Sequence, residues 1–359
     1  MLNQQTVNRI QELQGSGIKN KSLTEEQLEL IYSRNWFNLW VPKDLNGLEI
    51  SFPEGLNLLE ELAYWDGGLA WTVTLCAGAN MFSGFIDPEI AKKVWQDPKI
   101  CFGGSGGVTG KAKIMEDSYL ISGFWSYATG APHLTHFTLN AEIIEDNQVL
   151  RDVDGEPIYY SFFVPREDVM IHYDWDTFGL ECTASHSFSL KDVKVPKSHA
   201  FLIDPSSKKS HSELFDIPFI PFAELTLLMN YTGMFKRFLD LVEKYYFEKS
   251  KDKQWADKNS KSYFTELDQI RSSFECRVEL CKALAREIWE VGLINPEAAD
   301  ARLFVKIEKI SKELVKNIRM HVAEIMPSLG IRAAQRDNEL NIVIRNLFTA
   351  SQHSLLNLK

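Results

Sequence analysis

The spacing of apolar residues changes character twice along the chain. Before residue 98 it is mostly helical. In PEGLNLLEELAYW (53–65), Leu56, Leu59, Leu62 and Trp65 fall on one face of a helix. After the break Asp66-Gly67-Gly68, a second apolar helix is expected from Leu69 to Phe82. Asp87-Pro88 opens a short third one, with proline at a favoured first-turn position. From 99 to 200 the runs shorten and read as strands: Lys111–Glu116, Tyr119–Ser122, His136–Ile144, Ile158–Val164, Val169–Tyr173 and His186–Val195. Asp117-Ser118 predicts a hairpin turn, and Asp154-Gly155 and Pro165-Arg166 separate later runs. The pattern predicts an antiparallel sheet or small barrel.

Residues 201–215 form a polar linker, and from Glu224 onward the period is helical again. Ile270, Phe274, Val278, Cys281, Leu284, Ile288 and Val291 make one stripe. Leu303, Ile307, Ile310, Leu314, Ile318, Val322 and Ile325 make another, ended by Pro327 and Gly330. A last helix is expected at about 337–356, and 249–262 reads as a charged loop. Long helices with short joints predict a four-helix bundle. The fold class expected is therefore α+β and multidomain: a helical domain over 1–98, a β domain over 99–205 and a helical bundle over 216–359.

Composition narrows the function classes. The chain has 359 residues, 45% hydrophobic and 25% charged, enough for several packed units and incompatible with large-scale disorder. No apolar run reaches the roughly 18 residues of a membrane span, and the polar N-terminus lacks the apolar stretch of a signal peptide. A net charge of −10 argues against nucleic acid or an anionic membrane as partner. Five scattered cysteines (Cys76, Cys101, Cys182, Cys276, Cys281) suit a reducing cytoplasm rather than a disulfide framework. With neither HExxH nor CxxC, no metal site is expected.

Three segments carry candidate chemistry. The first is the glycine run Phe102-Gly103-Gly104-Ser105-Gly106-Gly107-Val108-Thr109-Gly110-Lys111. Ser105 and Ala112 break a P-loop, and Thr109 and the strands that follow break a dinucleotide fingerprint. What remains is either a flexible loop or a backbone that approaches a flat or anionic ligand closely. The second runs from Gly123 to His133, with Trp125, Ser126, Ala128 and Thr129 entering a turn. It reads as a core tryptophan with ordinary turn chemistry, or as the wall of an aromatic cofactor with a hydroxyl for a ring nitrogen. The third, Phe178 to Ser187, sets Thr183 and Ser185 ahead of a strand, where they close a hairpin or touch substrate.

Together these segments resemble the acyl-CoA dehydrogenase superfamily over nearly the whole chain. The resemblance also rests on Asn38–Leu48, Glu60-Glu61-Leu62-Ala63, Leu69-Ala70-Trp71, Asp192-Val193-Lys194-Val195-Pro196 and Arg345–His353. It implies a flavin between the β domain and the bundle, held by Phe102, Gly103, Gly104, Ser105, Gly106, Trp125, Ala128 and Thr129. Trp125 would wall the ring system. It further implies a homotetramer or dimer.

Two chemistries compete on such a scaffold. In the dehydrogenases a glutamate nine residues after the arginine matched by Arg345 removes a proton, but Ser354 stands there. Glu224 lies near, but one residue out of step with, the alternative position for that base. The sequence is more similar to the branch of flavin-dependent monooxygenases served by a separate flavin reductase. These have a histidine at the place of His353, W-S-(aromatic)-x-(S/T)-G as at Trp125–Gly130, and G-L-x-x-T-x-S-H as at 179–186. Cys76 stands where many of them carry histidine. The expectation is a reduced-flavin and O2 monooxygenase acting on an apolar small molecule, with His353 and Thr129 catalytic and Cys76, Thr183, Ser185 and Tyr231 lining the substrate site. The alternative is an acyl-CoA dehydrogenase with Glu224 as base, and a third reading is a non-catalytic flavin- or acyl-binding relative. FAD is the expected cofactor, with FMN the alternative because Glu248–Trp255 lacks the arginine and glycine of FAD-binding members.

Overall fold

The computed structural model describes residues 1–294 and 301–357, the side chains of 292–294 excepted. Its N-terminal part is helical: α1 (Gln4–Asn20), α2 (Glu25–Ser33), α3 (Phe52–Trp65), α4 (Gly67–Asn80) and α5 (Pro88–Val94). Ser51 and Glu54 close a capping box at the start of α3. The break read at 66–68 is a single residue, Asp66, which ends α3 and whose carboxylate caps α4 by accepting from the Gly68 and Leu69 amides at 3.0 and 3.1 Å. Helix α4 is buried on nearly every side, which explains its apolar composition.

Eight strands follow: β1 (Phe102–Ile114), β2 (Ser118–Ala128), β3 (His136–Glu145), β4 (Gln148–Val149), β5 (Tyr159–Pro165), β6 (Met170–His172), β7 (His186–Pro196) and β8 (Ala200–Phe201). They form one sheet in the order β6-β7-β2-β1-β3-β5-β8, with β4 added to β3. Two expectations change here. The glycine run is not a loop but lies inside β1. The sheet is mixed rather than antiparallel, because β1 pairs with β3 in parallel. That pairing requires residues 129–135 to cross the end of the sheet, and this crossover later positions Thr129 and His133.

The bundle comprises α6 (Phe219–Lys249), α8 (Lys261–Ile294), α9 (Ala301–Ile325) and α10 (Glu339–Ala350), with a one-turn α7 (Lys253–Trp255) between the first two. The sequence stripes face inward: Phe274, Val278, Cys281, Leu284, Ile307, Leu314, Ile318 and Val322 are all buried. Helix α10 stops six residues earlier than its periodicity suggested. Its tail tightens into turns in which the Gln352 and His353 amides reach back three residues to Thr349 and Ala350. Among the described residues no helix is long and apolar enough to cross a membrane.

Candidate active site

Strand alternation decides which side chains on β2 are available. Trp125 points inward and is fully buried, flat on Phe188 (ring centroids 5.3 Å, 16° between planes), with its indole N–H given to the Asn140 carbonyl at 3.0 Å. Gly110 and Gly123 are needed beneath it, since a Cβ on either would come within 2.1 and 2.6 Å of the indole. Trp125 therefore fills the sheet's core and presents no face to a ligand. Phe102 is likewise a core residue, packed among Trp95, His136 and Phe163. Gly103 is buried against Leu134 and the Thr129 carbonyl, and Gly104 faces the β3 backbone at Thr138. Of the expected cofactor residues, these four pack within the sheet of the single chain. Ala128 is also fully buried.

The accessible chemistry lies one or two residues away, where both strands are irregular. The β1–β3 pairing shifts register between Gly104 and Gly110, and the β2–β7 pairing shifts between Trp125 and Ala128. Such bulges re-aim side chains. Here they turn both Ser126 and Tyr127 outward beside the exposed Gly106–Thr109 strip. Space above Gly106 is open. The Ser105 hydroxyl donates to the Ser126 carbonyl at 2.5 Å, tying the two irregular stretches together. Tyr127, 64% exposed, meets the Trp175 ring edge-on at 5.7 Å, and Phe178, three residues along the chain from Trp175, is 58% exposed. A glycine strip flanked by exposed aromatic rings fits a flat tricyclic ring. Sequence reading missed Tyr127, Trp175 and Phe178. The alternation of β2 would have placed Trp125 inside, but the bulge that exposes Tyr127 leaves no local signal.

Behind this platform runs a buried line of hydroxyls. Thr129 and Ser185 lie 2.9 Å apart, Ser185 and Thr183 2.8 Å apart, and Thr183 donates to the Leu180 carbonyl at 2.9 Å. The Gly130 amide donates to the Thr183 carbonyl at 2.8 Å. Thr129, Thr183 and Ser185 are thus brought together as one buried chain, and the crossover carries it. Cys76, on α4, lies against the Thr129 carbonyl at 3.8 Å.

Helix α10 closes the other side. The Leu180 amide donates to Asn346 Oδ1 at 2.7 Å, and Arg345 holds both the Phe178 carbonyl and the Glu181 carboxylate. His353 sits past the helix end with its ring edge-on to Trp71 of α4 at 6.1 Å. Its Nδ1 accepts from the Leu355 amide at 3.3 Å, which places the proton on Nε2. Burial lowers its pKa below the ordinary histidine value, so the ring is neutral at pH 7. Tyr231 is buried in α6 toward the same region, its hydroxyl near Ser351 and Arg319 rather than in an open cavity.

Glu224 does not meet this site. It is buried beside Glu308 and Lys312 of α9, while the α4-facing side of α6 is marked by Asn230, which donates to Thr74 at 3.2 Å. Burial, and secondarily the Glu308 charge, raise its pKa to about 7.

No family model matches the chain. It is 26% identical over 184 residues to the oxygenase subunit HsaA of a flavin-dependent monooxygenase from Mycobacterium tuberculosis, covering 51% of this chain and 44% of that one. Over this relative the chain spans about half of the relative's length. It is 20% identical over 350 residues to a pigment production hydroxylase from a Rhodococcus species, covering 95% and 88%. Its structure superposes on XiaF from Streptomyces, solved with FADH2 and glycerol, with a TM-score of 0.87 at 19% identity, over 98% of this chain and 90% of that one. The chain has the acyl-CoA dehydrogenase-like fold.

Proposed function

We propose that the chain is the oxygenase component of a two-component flavin-dependent monooxygenase, which receives reduced flavin from a separate reductase and hydroxylates an apolar small molecule. One observation favours this over dehydrogenation. Among the described residues the buried carboxylates are Glu60, Asp66, Asp216 and Glu224, and each is engaged away from the platform. Glu60 is paired with Lys236 and Lys282 at 2.8 and 2.7 Å. Asp66 caps α4, Asp216 pairs with Lys208 at 2.6 Å, and Glu224 faces α9. None of these four reaches the platform as a base, and the Glu181 carboxylate beside Leu180 is held by Arg345, whereas His353 offers a neutral imidazole with an Nε2–H.

The aromatic and glycine platform suits FAD, with FMN the alternative that the same ring system allows. When bound, the reduced flavin supplies the electrons that activate O2. Tyr127 and Trp175 would flank its ring system, and Ser126 would meet its polar edge. His353 would donate from Nε2 to an oxygen atom carrying developing charge, and the buried hydroxyl line would hold the platform's floor in place. Because the aromatic rings stand open to solvent in a single chain, a second copy, in a dimer or tetramer, would complete the enclosure.

The test is direct. The purified chain is mixed with FADH2 or FMNH2 and ¹⁸O2 in the presence of a panel of small aromatic compounds. Incorporation of one labelled oxygen atom into a product supports the proposal. Bleaching of the oxidised flavin complex by an acyl-CoA without oxygen, with no labelled product, refutes it in favour of the dehydrogenase.

A further inference from the structure

Three elements meet behind Thr129: α4, the residue that enters β1, and the crossover from β2 to β3. They bring Cys76, Cys101 and His133 together, with their ligand atoms all within 4.8 Å of one another. Both cysteines are fully buried and unpaired by disulfide. His133 Nε2 is buried and lacks a hydrogen-bond partner. The ring is held flat against Phe37, with centroids 5.6 Å apart and 11° between planes. Gly130 (φ +79°) clears the space, since a Cβ there would stand 2.7 Å from His133 Nε2 and 3.4 Å from Cys76 Sγ. A buried imidazole nitrogen with no partner, facing two thiols, is an unfinished arrangement.

We propose that Cys76, Cys101 and His133 form a zinc-binding site that ties α4 to the β sheet. Two sulfurs and one imidazole are a donor set that zinc favours. In a tetrahedral site with Zn–S of about 2.3 Å, ligand atoms lie about 3.8 Å apart, so a contraction of at most about 1 Å completes the geometry. Charge also favours a divalent ion, because two thiolates and a neutral imidazole balance Zn²⁺ and leave no net charge in the core. Binding releases the two thiol protons to solvent. With three protein ligands, the fourth position falls to water or to the Thr129 carbonyl, which already lies 3.8 Å from Cys76 Sγ. The residues are spaced 25 and 32 apart in sequence, which is why no metal motif is visible there.

The full-length chain is produced in zinc-supplemented medium and its metal content measured by mass spectrometry. The expected result is close to one zinc per chain, falling at least tenfold in Cys76→Ser and Cys101→Ser. Exchange with Co²⁺ should give thiolate-to-cobalt absorption in the near ultraviolet in the wild-type chain, a readout that stands even where a variant fails to fold. Zinc below a tenth per chain together with a featureless Co²⁺ spectrum would overturn the site. So would zinc retained in both serine variants, or a Cys76–Cys101 disulfide in the protein as purified.

Discussion

The Leu180 amide and the Asn346 side-chain oxygen are joined by a buried 2.7 Å hydrogen bond across 166 positions of sequence. This bond, with Arg345 on Phe178 and Glu181, fixes the 178–185 segment to α10 and so positions the hydroxyl line behind Thr129. Removing the acceptor leaves a buried N–H unpaired, a cost of about 1–3 kcal/mol. Asn346→Ala should lower the urea midpoint by that equivalent, while Asn346→Asp, which keeps an acceptor oxygen, should recover at least half of it. Equal losses in both variants would show that the acceptor is not what holds the segment.

Much of this organisation is legible in the sequence because it is periodic. The stripe Leu56, Leu59, Leu62 and the stripes on α8 and α9 bury the residues that their spacing selects. The turn at Asp117-Ser118 is the β1–β2 hairpin. The site is less legible because it depends on departures from periodicity. Trp125 looks like a cofactor wall until the register of β2 places it over Gly110 and Gly123. Tyr127 is exposed only through a bulge that no residue type announces. Cys76, Cys101 and His133 converge through a parallel strand crossover, a tertiary event.

The two aromatic residues of that stretch should behave oppositely. Tyr127 is exposed and makes only an edge contact with Trp175, so Tyr127→Ala should change stability by less than about 0.5 kcal/mol. It should weaken reduced-flavin binding roughly three- to tenfold, the worth of one aromatic stack. Trp125→Ala should instead cost about 3–5 kcal/mol of stability, as a large cavity opens beneath Phe188. Anaerobic flavin titration and urea unfolding of both variants separate the roles. A Tyr127→Ala chain that binds reduced flavin at wild-type strength removes the platform from the site.

Glu224 gives a signed pH dependence. Its folded pKa, raised from 4.5 to about 7 by burial and then by Glu308, means that the folded state holds a proton that the unfolded state has lost. The associated stability is fully present below about pH 4.5 and declines as pH rises toward 7. At about 1.4 kcal/mol per unit, the penalty above pH 7 is on the order of 3–4 kcal/mol. Glu224→Gln should therefore match the wild type near pH 4.5 and exceed its stability by roughly that amount at pH 8. If Glu224 were the base of a dehydrogenase, the same variant would abolish acyl-CoA-dependent flavin reduction. The monooxygenase reading expects no such reduction in either protein.

His353 is where the oxygenase chemistry is most exposed to test. Its Nδ1 is occupied by the Leu355 amide, and its neutral ring keeps the proton on Nε2. Replacing it with alanine removes both the backbone contact and the donor, whereas asparagine can still accept from Leu355. If the donor matters, both variants should bind reduced flavin within about twofold of wild type. Both should also lose roughly a hundredfold in substrate hydroxylation, the lower range for one acid–base group, with oxygen leaving as H2O2 instead. Burial lowers the His353 pKa, so the neutral form persists below the ordinary value of 6.5. The fraction of oxygen delivered to product should thus stay level from pH 8 down through 6.5 and fall only in more acidic solution. A titration centred at 6.5, as a solvated imidazole would give, or coupled turnover retained by His353→Asn, would show that the ring supports the chain's end and takes no part in oxygen transfer.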